Sequence, residues 1–323
     1  MLKRFLTSIV IMALTIGFFA LRYVSPFIFD AFLGVIVLCS TYEVAMAFEK
    51  HGKLNDKYFV LAYPVALYGA LLWIVLANND ALANDKRAIS LITYFGIVVG
   101  LMILIFAITL IINLLSKTKI NKEIANAKLD ITTNKYALRK SMLNLFLMMY
   151  PAFILSIFFL INHLSSFAFY EKIVGKNIEV FLLIMIFATT IITDTFAYII
   201  GGGIGGKKLC PKISPNKTIS GAIGGLVCSI AFSLLLYVVF ATIGGYADTF
   251  TALKLNIFHF IGYGTIASIF SQCGDIFASL IKRINGLKDY GHIFPGHGGF
   301  MDRVDGLAVN GLVTFILSLF VFM

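Results

Sequence analysis

Residues 88–116 read AISLITYFGIVVGLMILIFAITLIINLLS, a continuous apolar run without a charged side chain. A helix needs about 20 consecutive apolar residues to cross the hydrocarbon core of a bilayer, and this run is long enough. Similar windows recur along the chain, so that the full set lies near residues 5–24, 26–48, 58–78, 88–116, 141–162, 179–200, 219–243, 255–281 and 305–323. The sequence therefore predicts an all-α, polytopic integral membrane protein with about nine transmembrane helices.

The amino-acid composition excludes an ordinary water-soluble fold. Hydrophobic residues make up 59% of the 323 residues and charged residues only 13%, with a mean hydropathy of +0.93. A soluble protein of this composition would lack the polar residues that its surface requires. Length alone would suit about two soluble domains, but apolar windows fill most of the chain. We expect one helical membrane domain, with N-terminal helices in region 1–162 and motif-bearing helices in region 163–323.

The basic residues predict which side of the membrane each loop faces. Most of the 26 Lys and Arg residues lie in alternate loops, around residues 3–4, 50–57, 117–140, 207–217 and 282–303. Because positively charged loops are retained in the cytoplasm, we expect a cytoplasmic N-terminus, and the net charge of +10 is mainly a topology signal. Nucleic acid is not implied. No cleavage site follows the first window and no transit peptide is present, so we expect a retained first helix in a bacterial plasma membrane.

Two loops that this topology places in the cytoplasm, 201–218 and 282–305, are rich in Gly, Pro, Lys and Asp. The first reads GGGIGGKKLCPKISPNKT. Backbone N–H groups of a glycine-rich turn can approach a phosphate closely, and lysines add positive charge. The glycines fit G-x-G-x-x-G, but they follow a membrane helix rather than a strand and no acidic residue lies about 20 positions later, which excludes a Rossmann site. A flexible turn with topology-setting lysines is the alternative.

Acidic residues in the predicted helices discriminate better between a chemical site and a generic membrane protein. An ionised Asp inside a membrane helix costs about 3 kcal/mol or more, so it rarely persists without a partner or a function. Asp194 and Asp275 lie near the cytoplasmic ends of their predicted helices, and Asp302 and Asp305 would share a face at the first turn of the last helix. Carboxylates brought together require cations, because each pair repels by about 4 kcal/mol at 4 Å and an effective dielectric of about 20.

Oxygen ligands favour Mg²⁺, which takes one or two carboxylates and completes its shell with waters and substrate phosphates. The four cysteines show no paired spacing, so neither a disulfide framework nor a thiolate zinc site is expected. The alternative for each Asp is an ion pair with a nearby Lys or Arg that holds helices together.

A family resemblance lies in the C-terminal part of the chain. The segments SLIKR (279–283), KD (288–289), PGHGG (295–299) and DRVD (302–305) resemble the signature of phosphatidate cytidylyltransferases, also called CDP-diacylglycerol synthases. The upstream Asp194-Thr195, glycine-rich and Lys207-Lys208-Leu209 elements, and SPNKT (214–218), resemble that family in order and spacing. After Thr218 the family usually carries Glu or Gln before glycine, whereas this chain has Ser220-Gly221.

The resemblance implies that a phosphate oxygen of phosphatidic acid attacks the α-phosphorus of CTP and that pyrophosphate leaves. It implies Asp275 and Asp302 as ligands of Mg²⁺, with Asp305 and Asp194 as further ligands or orienting groups, and leaves open a second, monovalent cation. His297 would donate to a phosphate or transfer a proton. Lys208, Lys217, Lys282, Arg283 and Arg303 are assigned as phosphate contacts. The other assigned substrate contacts are Ser214, Thr218, Ser279, Lys288, Gly298 and Gly299.

The expected partners are CTP, phosphatidic acid and the lipid bilayer, and a homodimer is left open. Two other functions are compatible with the sequence. One is a different CTP-dependent lipid enzyme, such as a polyprenol or dolichol kinase-like protein or an archaeal-lipid cytidylyltransferase. The other is an ion-coupled transporter in which Asp194 and Asp275 bind the coupling ion.

Overall fold

The computed structural model describes residues 13–50, 55–83, 91–126, 130–164, 178–242, 246–294 and 298–322. Residues 13–21 are helical. The elements that follow are α1 (Pro26–Lys50), α2 (Lys57–Ala83), α3 (Leu91–Leu115), α4 (Lys117–Asn126), α5 (Thr133–Leu147), a π-helical segment (Met148–Phe153), α6 (Ile154–Asn162), α7 (Ile178–Ile204), β1 (Lys208–Cys210), β2 (Ser214–Thr218), α8 (Ile219–Thr242), α9 (Ala247–Ala252), α10 (Ile257–Ile284) and α11 (Met301–Phe322).

Eight helical stretches within these described ranges are long and apolar enough to cross a membrane. They are Pro26–Glu49, Lys57–Ala77, Ile92–Leu115, Thr133–Asn162, Ile178–Ile204, Ile219–Thr242, Ile257–Ile284 and Met301–Phe320. Each coincides with one of the predicted windows, and the remaining window, 5–24, lies partly outside the described residues. The predicted all-α, polytopic membrane fold is confirmed. The cytoplasmic side of the N-terminus stays a prediction.

The observed helices extend beyond three of the predicted apolar windows. The basic stretch 117–140, predicted as a cytoplasmic loop or an interfacial helix, is helical over α4 and the first turns of α5. The glycines at 201–203 belong to the last turn of α7 rather than to a loop. The last helix begins at Met301 rather than near 305, because the Glu43 carboxylate accepts hydrogen bonds from the backbone N–H groups of Phe300 and Met301, which would otherwise lack partners at the helix start.

The chain forms two compact units. Unit 1 contains Met1–Ser156 and Ile284–Asp302, and unit 2 contains Ile157–Arg283 and Arg303–Met323. The division predicted at residue 162 stays a prediction.

A buried ionic cluster connects the helices of unit 1. The Lys140 Nζ lies 2.9 Å from Asp56 Oδ1 and 3.2 Å from Glu123 Oε1, and the Lys140 side chain is only 3% exposed. The Nδ2 groups of Asn113 and Asn144 donate to Asp56 Oδ2 at 2.9 and 3.0 Å. Lys140 can therefore lie in the protein interior, because its ammonium group is paired with carboxylates.

The Asp56 carboxylate remains ionised in this cluster. Burial disfavours its charged form, but hydrogen bonds from Lys140, Asn113 and Asn144 outweigh burial and hold the pKa of Asp56 below its usual value. Its contribution to stability is therefore present at neutral pH, above the pKa of the unfolded chain, and is lost as the pH falls through the lowered folded-state pKa.

Replacing Lys140 by Met should destabilise the protein by about 3 kcal/mol or more, because two half-buried carboxylates lose the buried cation that pairs with them. Thermal unfolding in detergent micelles measures the change. Lys135→Met is the matched control, since Lys135 is exposed on the same helix, and a surface change of this kind stays within about 0.5 kcal/mol. Equal melting temperatures for the two variants would contradict the structural role of Lys140.

Unit 2 contains a close helix pair, α7 and α8, joined by a β-hairpin. A Cβ atom on Gly221 would lie 2.5 Å from the Ala197 carbonyl oxygen, and one on Gly225 would lie 2.7 Å from the Thr193 carbonyl oxygen. Glycines four residues apart allow the two backbones to approach this closely. Asp194, adjacent to Thr193, is thereby fixed relative to α8.

The hairpin that follows α7 is antiparallel, with Lys208 opposite Thr218 and Cys210 opposite Ser214. Gly205 and Gly206 take φ angles of +67° and +101°, which glycine adopts without steric cost. β2 leads directly into α8, where the Thr218 hydroxyl accepts a hydrogen bond from the Gly221 backbone N–H and caps the helix. Lys217, one residue earlier, is therefore held at a fixed position.

Gly225→Val should destabilise the protein by about 1–3 kcal/mol, because its side chain would collide with the backbone of α7. It should also lower any activity that depends on Asp194. Gly202→Val is the matched control, because nothing lies within 4 Å of the Cβ position there. Thermal unfolding and an activity assay of both variants check this, and a Gly225→Val protein as stable as the control would contradict the close packing.

Candidate functional site

Three carboxylates from three helices of unit 2 meet around Asp275. Asp275 lies on α10, Asp194 on α7 and Asp305 on α11, and the carboxyl groups of Asp194 and Asp305 each lie within hydrogen-bonding reach of the Asp275 carboxyl group. The close crossing of α10 and α11 makes this approach possible, because Gly306 leaves room for the Asp275 carboxylate: a Cβ atom there would lie 2.7 Å from Asp275 Oδ1. We call Asp194, Asp275 and Asp305 the carboxylate cluster.

The carboxylate cluster remains accessible to a ligand. The Asp275 side chain is 17% exposed, and Asp305 is also half-buried. Asp194 is surrounded by protein atoms yet keeps exposed surface. A small ion or a phosphate can therefore reach these oxygens.

Three cationic side chains balance the cluster. Lys217 Nζ lies 3.0 Å from Asp275 Oδ2. Lys282, which is 9% exposed, lies close enough to Asp305 for a charge–charge attraction. Arg303 makes the same kind of interaction with Asp194. Unit 2 thus brings three acidic and three basic side chains together, and their catalytic roles stay predictions. They are Asp194, Asp275, Asp305, Lys217, Lys282 and Arg303.

The carboxylate cluster presents oxygen donors to a divalent ion. Among the described residues, no group of three or more His, Cys, Asp or Glu side chains is arranged to hold a metal ion. The cluster nevertheless offers only oxygen donors, and Mg²⁺ characteristically binds through one or two carboxylates with waters and substrate phosphates as its other ligands. The residues therefore fit Mg²⁺ held partly by substrate, not a preformed metal cage.

Buried polar contacts hold two of the cluster's helices together. Asn310 of α11 donates through Nδ2 to Thr190 Oγ1 at 2.8 Å and to Thr189 Oγ1 at 3.1 Å, both on α7. Asn310 lies close in sequence to Asp305, and Thr190 to Asp194. Our sequence analysis missed Asn310, although an amide inside an apolar run was a signal that could have identified it.

Asp302 belongs to unit 1 and has a different set of contacts. Its Oδ2 atom accepts hydrogen bonds from the backbone N–H groups of Tyr290 and Gly299, both at 2.9 Å. Gly298 turns the chain there with a φ angle of +81°, and a Cβ atom at that position would lie 2.6 Å from Asp302 Oδ2. Asp302 thus closes the loop before α11, and its assignment as a metal ligand stays a prediction.

The other predicted substrate contacts are distributed as follows. Lys208 is exposed on β1, Ser214 begins β2 and Thr218 ends it. Ser279 lies one turn beyond Asp275 on α10, and Lys288 is exposed after that helix. The Nε of Arg283 donates to the Ile213 carbonyl oxygen at 3.1 Å, which ties α10 to the hairpin. His297 lies outside the described residues.

Glu43 is the acidic residue that sequence reasoning overlooked. It lies in α1, inside an apolar membrane span, and is only 4% exposed. A carboxylate within such a span was itself a signal. Its partners lie more than 250 positions later in the chain, so sequence inspection could not have identified them.

A cavity of about 750 Å³ in unit 2 is separate from the carboxylate cluster. The first turns of α7 and α10 and the last turns of α11 line it, including Phe181, His259 and Phe320. Asp194 lies about 24 Å along α7 from the first residue of that helix, at about 1.5 Å per residue. The cavity therefore does not provide the chemistry of the cluster.

These features define a polytopic membrane protein whose spanning helices carry a site of opposed carboxylate and cationic side chains. The chain belongs to the cytidylyltransferase family, whose model matches residues 3–321.

Two groups of curated relatives are similar to part of this chain. A phosphatidate cytidylyltransferase of Brucella abortus biovar 1 (strain 9-941) is 42% identical over 136 residues, which is 42% of this chain and 46% of that protein. A phosphatidate cytidylyltransferase of Staphylococcus aureus (strain COL) is 45% identical over 115 residues, covering 35% of this chain and 40% of that protein. The matched part thus spans less than half the length of these relatives.

Proposed function

We propose that this protein is a CTP:phosphatidate cytidylyltransferase that makes CDP-diacylglycerol and pyrophosphate. In this reaction a phosphate oxygen of phosphatidic acid forms a bond to the α-phosphorus of CTP, and the bond between that phosphorus and the pyrophosphate oxygen breaks. The observation that carries the proposal is the carboxylate cluster with Lys217 at 3.0 Å from Asp275, on membrane-spanning helices of a cytidylyltransferase-family chain. The names of the similar relatives support the choice of phosphatidate.

The charges of the site support a requirement for Mg²⁺. Asp194, Asp275 and Asp305 are matched in number by Lys217, Lys282 and Arg303, so the protein alone has no excess of positive charge for a triphosphate. Mg²⁺ would be held by Asp275 together with Asp305 or Asp194. The assignment of Asp302 as a metal ligand is a separate proposal, which its own substitution tests. When bound, the ion would neutralise charge on the phosphates. A second, monovalent cation is part of the same proposal.

The protein's own side chains would bind and orient the substrates. Phosphoryl-type transfer depends chiefly on positioning and charge neutralisation, and needs no covalent protein nucleophile. Lys217 is held next to Asp275 by the hairpin and can exchange that partner for a phosphate oxygen. Lys282 and Arg303 would bind the other phosphates. The alignment of the two substrates would come from these fixed charges.

The location of the cluster suits one soluble and one membrane-bound substrate. Asp194 and Asp275 lie about 15 Å from the C-terminal ends of their helices, at about 1.5 Å per residue. CTP would enter from water, and phosphatidic acid would remain in the leaflet. We propose a bacterial plasma membrane with the site facing the cytoplasm, as the basic loops indicate, and a homodimer as the assembly to be tested.

Purified protein in detergent with phosphatidic acid, CTP and Mg²⁺ tests the proposal. Label on the α-phosphate of CTP should enter the lipid, and pyrophosphate should form in equal amount. Label entering from the γ-phosphate would identify a lipid kinase instead. Flux of ions or substrates into liposomes without CTP would identify a transporter and overturn the proposal.

A further inference from the structure

We propose that Glu43 is a positioning residue for the Gly299–Asp302 turn of the cytidylyltransferase site. The Glu43 carboxylate is buried in α1, and its two oxygens accept hydrogen bonds from the backbone N–H groups of Phe300 at 3.0 Å and Met301 at 2.9 Å. All of these atoms belong to unit 1. The inference rests on the proposed function, because that function gives Asp302 its role.

The turn is shaped around this carboxylate. A Cβ atom on Gly299 would collide with both Glu43 oxygens, and one on Gly291 would collide with Oε1. Glycines at these two positions therefore make room for Glu43. Gly299, which was predicted to contact substrate, thus has a second use, which is to admit an acidic side chain from an N-terminal helix.

Glu43 and Asp302 divide the backbone donors of the turn between them. The N–H of Gly299 donates to Asp302 Oδ2, and the next two N–H groups along the chain donate to Glu43. Three consecutive peptide groups are consequently fixed by two carboxylates. The orientation of Asp302 is set by the same turn that Glu43 holds.

The location of Glu43 explains why a carboxylate is tolerated inside a membrane span. Its oxygens lie at the N-terminus of α11, where unpaired N–H groups and the helix dipole favour negative charge. A neutral side chain at position 43 would lose this stabilisation and weaken the turn.

The Glu43→Gln variant distinguishes the hydrogen-bonding role of the carboxylate from a role of the side chain in packing. Gln has almost the same shape, but its amide nitrogen is a donor and would face one of the two backbone donors. Amide hydrogen exchange of a peptide covering residues 298–302, measured on the full chain in nanodiscs, should become about tenfold faster or more, as loss of a hydrogen bond to a charged group implies. The kcat for cytidylyl transfer should fall about tenfold or more because the turn is less well positioned.

Two further variants complete the experiment. Glu43→Asp keeps the charge on a shorter side chain and should restore part of both the exchange protection and kcat. Glu49→Gln is the matched control on the same helix, because Glu49 pairs with Lys57 at 3.3 Å and not with the turn. It should leave exchange at 298–302 and kcat as in the wild type.

Unchanged exchange at 298–302 in Glu43→Gln would overturn the inference, and so would faster exchange with an unchanged kcat. Partial recovery of exchange protection and kcat in Glu43→Asp supports the inference, and this variant can be measured even if the Gln variant does not fold. A Glu43→Asp protein as slow as Glu43→Gln opposes the inference. The exchange measurement does not depend on activity. A wild-type protein that makes no liponucleotide would therefore overturn the proposed function, while exchange would still decide whether Glu43 holds the turn.

Discussion

Asp275→Asn should abolish cytidylyl transfer, with kcat reduced at least about thousandfold, while the protein remains folded. Asp275 is the member of the carboxylate cluster that contacts both of the others and Lys217. Asn has the same size, but it removes the charge that would bind a divalent ion and position Lys217. The measurement is the rate of pyrophosphate and liponucleotide formation at saturating CTP and Mg²⁺, beside a thermal melt without substrate.

A structural role for Asp275 gives a different result in a double variant. If Asp275 and Lys217 only tie α10 to the hairpin, then Asp275→Asn combined with Lys217→Met replaces an ion pair by two neutral side chains and should recover activity. If both residues act on the substrate phosphates, the double variant stays inactive. Asp248→Asn is the matched control, because Asp248 is exposed on α9. Full activity in Asp275→Asn would refute its assignment as a ligand.

Asp302→Asn should lower kcat/KM about a hundredfold or more and raise the Mg²⁺ concentration needed for half-maximal activity. The Asn carbonyl oxygen can still accept hydrogen bonds from the Tyr290 and Gly299 N–H groups, which now donate to Asp302 Oδ2. The loop should therefore persist, and the substitution isolates the loss of charge. The assay is a titration of activity with Mg²⁺, together with a thermal melt.

The same variant can show that Asp302 only closes the loop. In that case Asp302→Asn keeps the wild-type Mg²⁺ dependence, whereas Asp302→Ala, which removes the acceptor, lowers both stability and activity. Such a pair of results would exclude Asp302 as a metal ligand and leave Asp275 as the principal one. Asp248→Asn again serves as the control for the loss of one negative charge.

The order of the membrane helices could be predicted because long apolar runs are a local property of the chain. The positions of Asp194 and Asp275 could be predicted as functional for a related reason: a carboxylate in an apolar helix is costly wherever it lies. The contact that fixes the start of the last helix could not be predicted, since the Met301 N–H donates to Glu43, 258 positions away. The burial of Lys140 could not be predicted either, because its partner Asp56 is also distant in the chain.

The sequence by itself determined that this protein spans a membrane, that it carries acidic residues within its spans, and that its C-terminal motifs resemble those of cytidylyltransferases. These properties follow from residue type and short spacing. Only the tertiary structure decided which charges meet: Asp194 and Asp305 with Asp275, Lys140 with Asp56, and Glu43 with the turn before α11. The physical reason is that the partner of a buried charge is chosen by helix packing, which joins residues far apart in the chain.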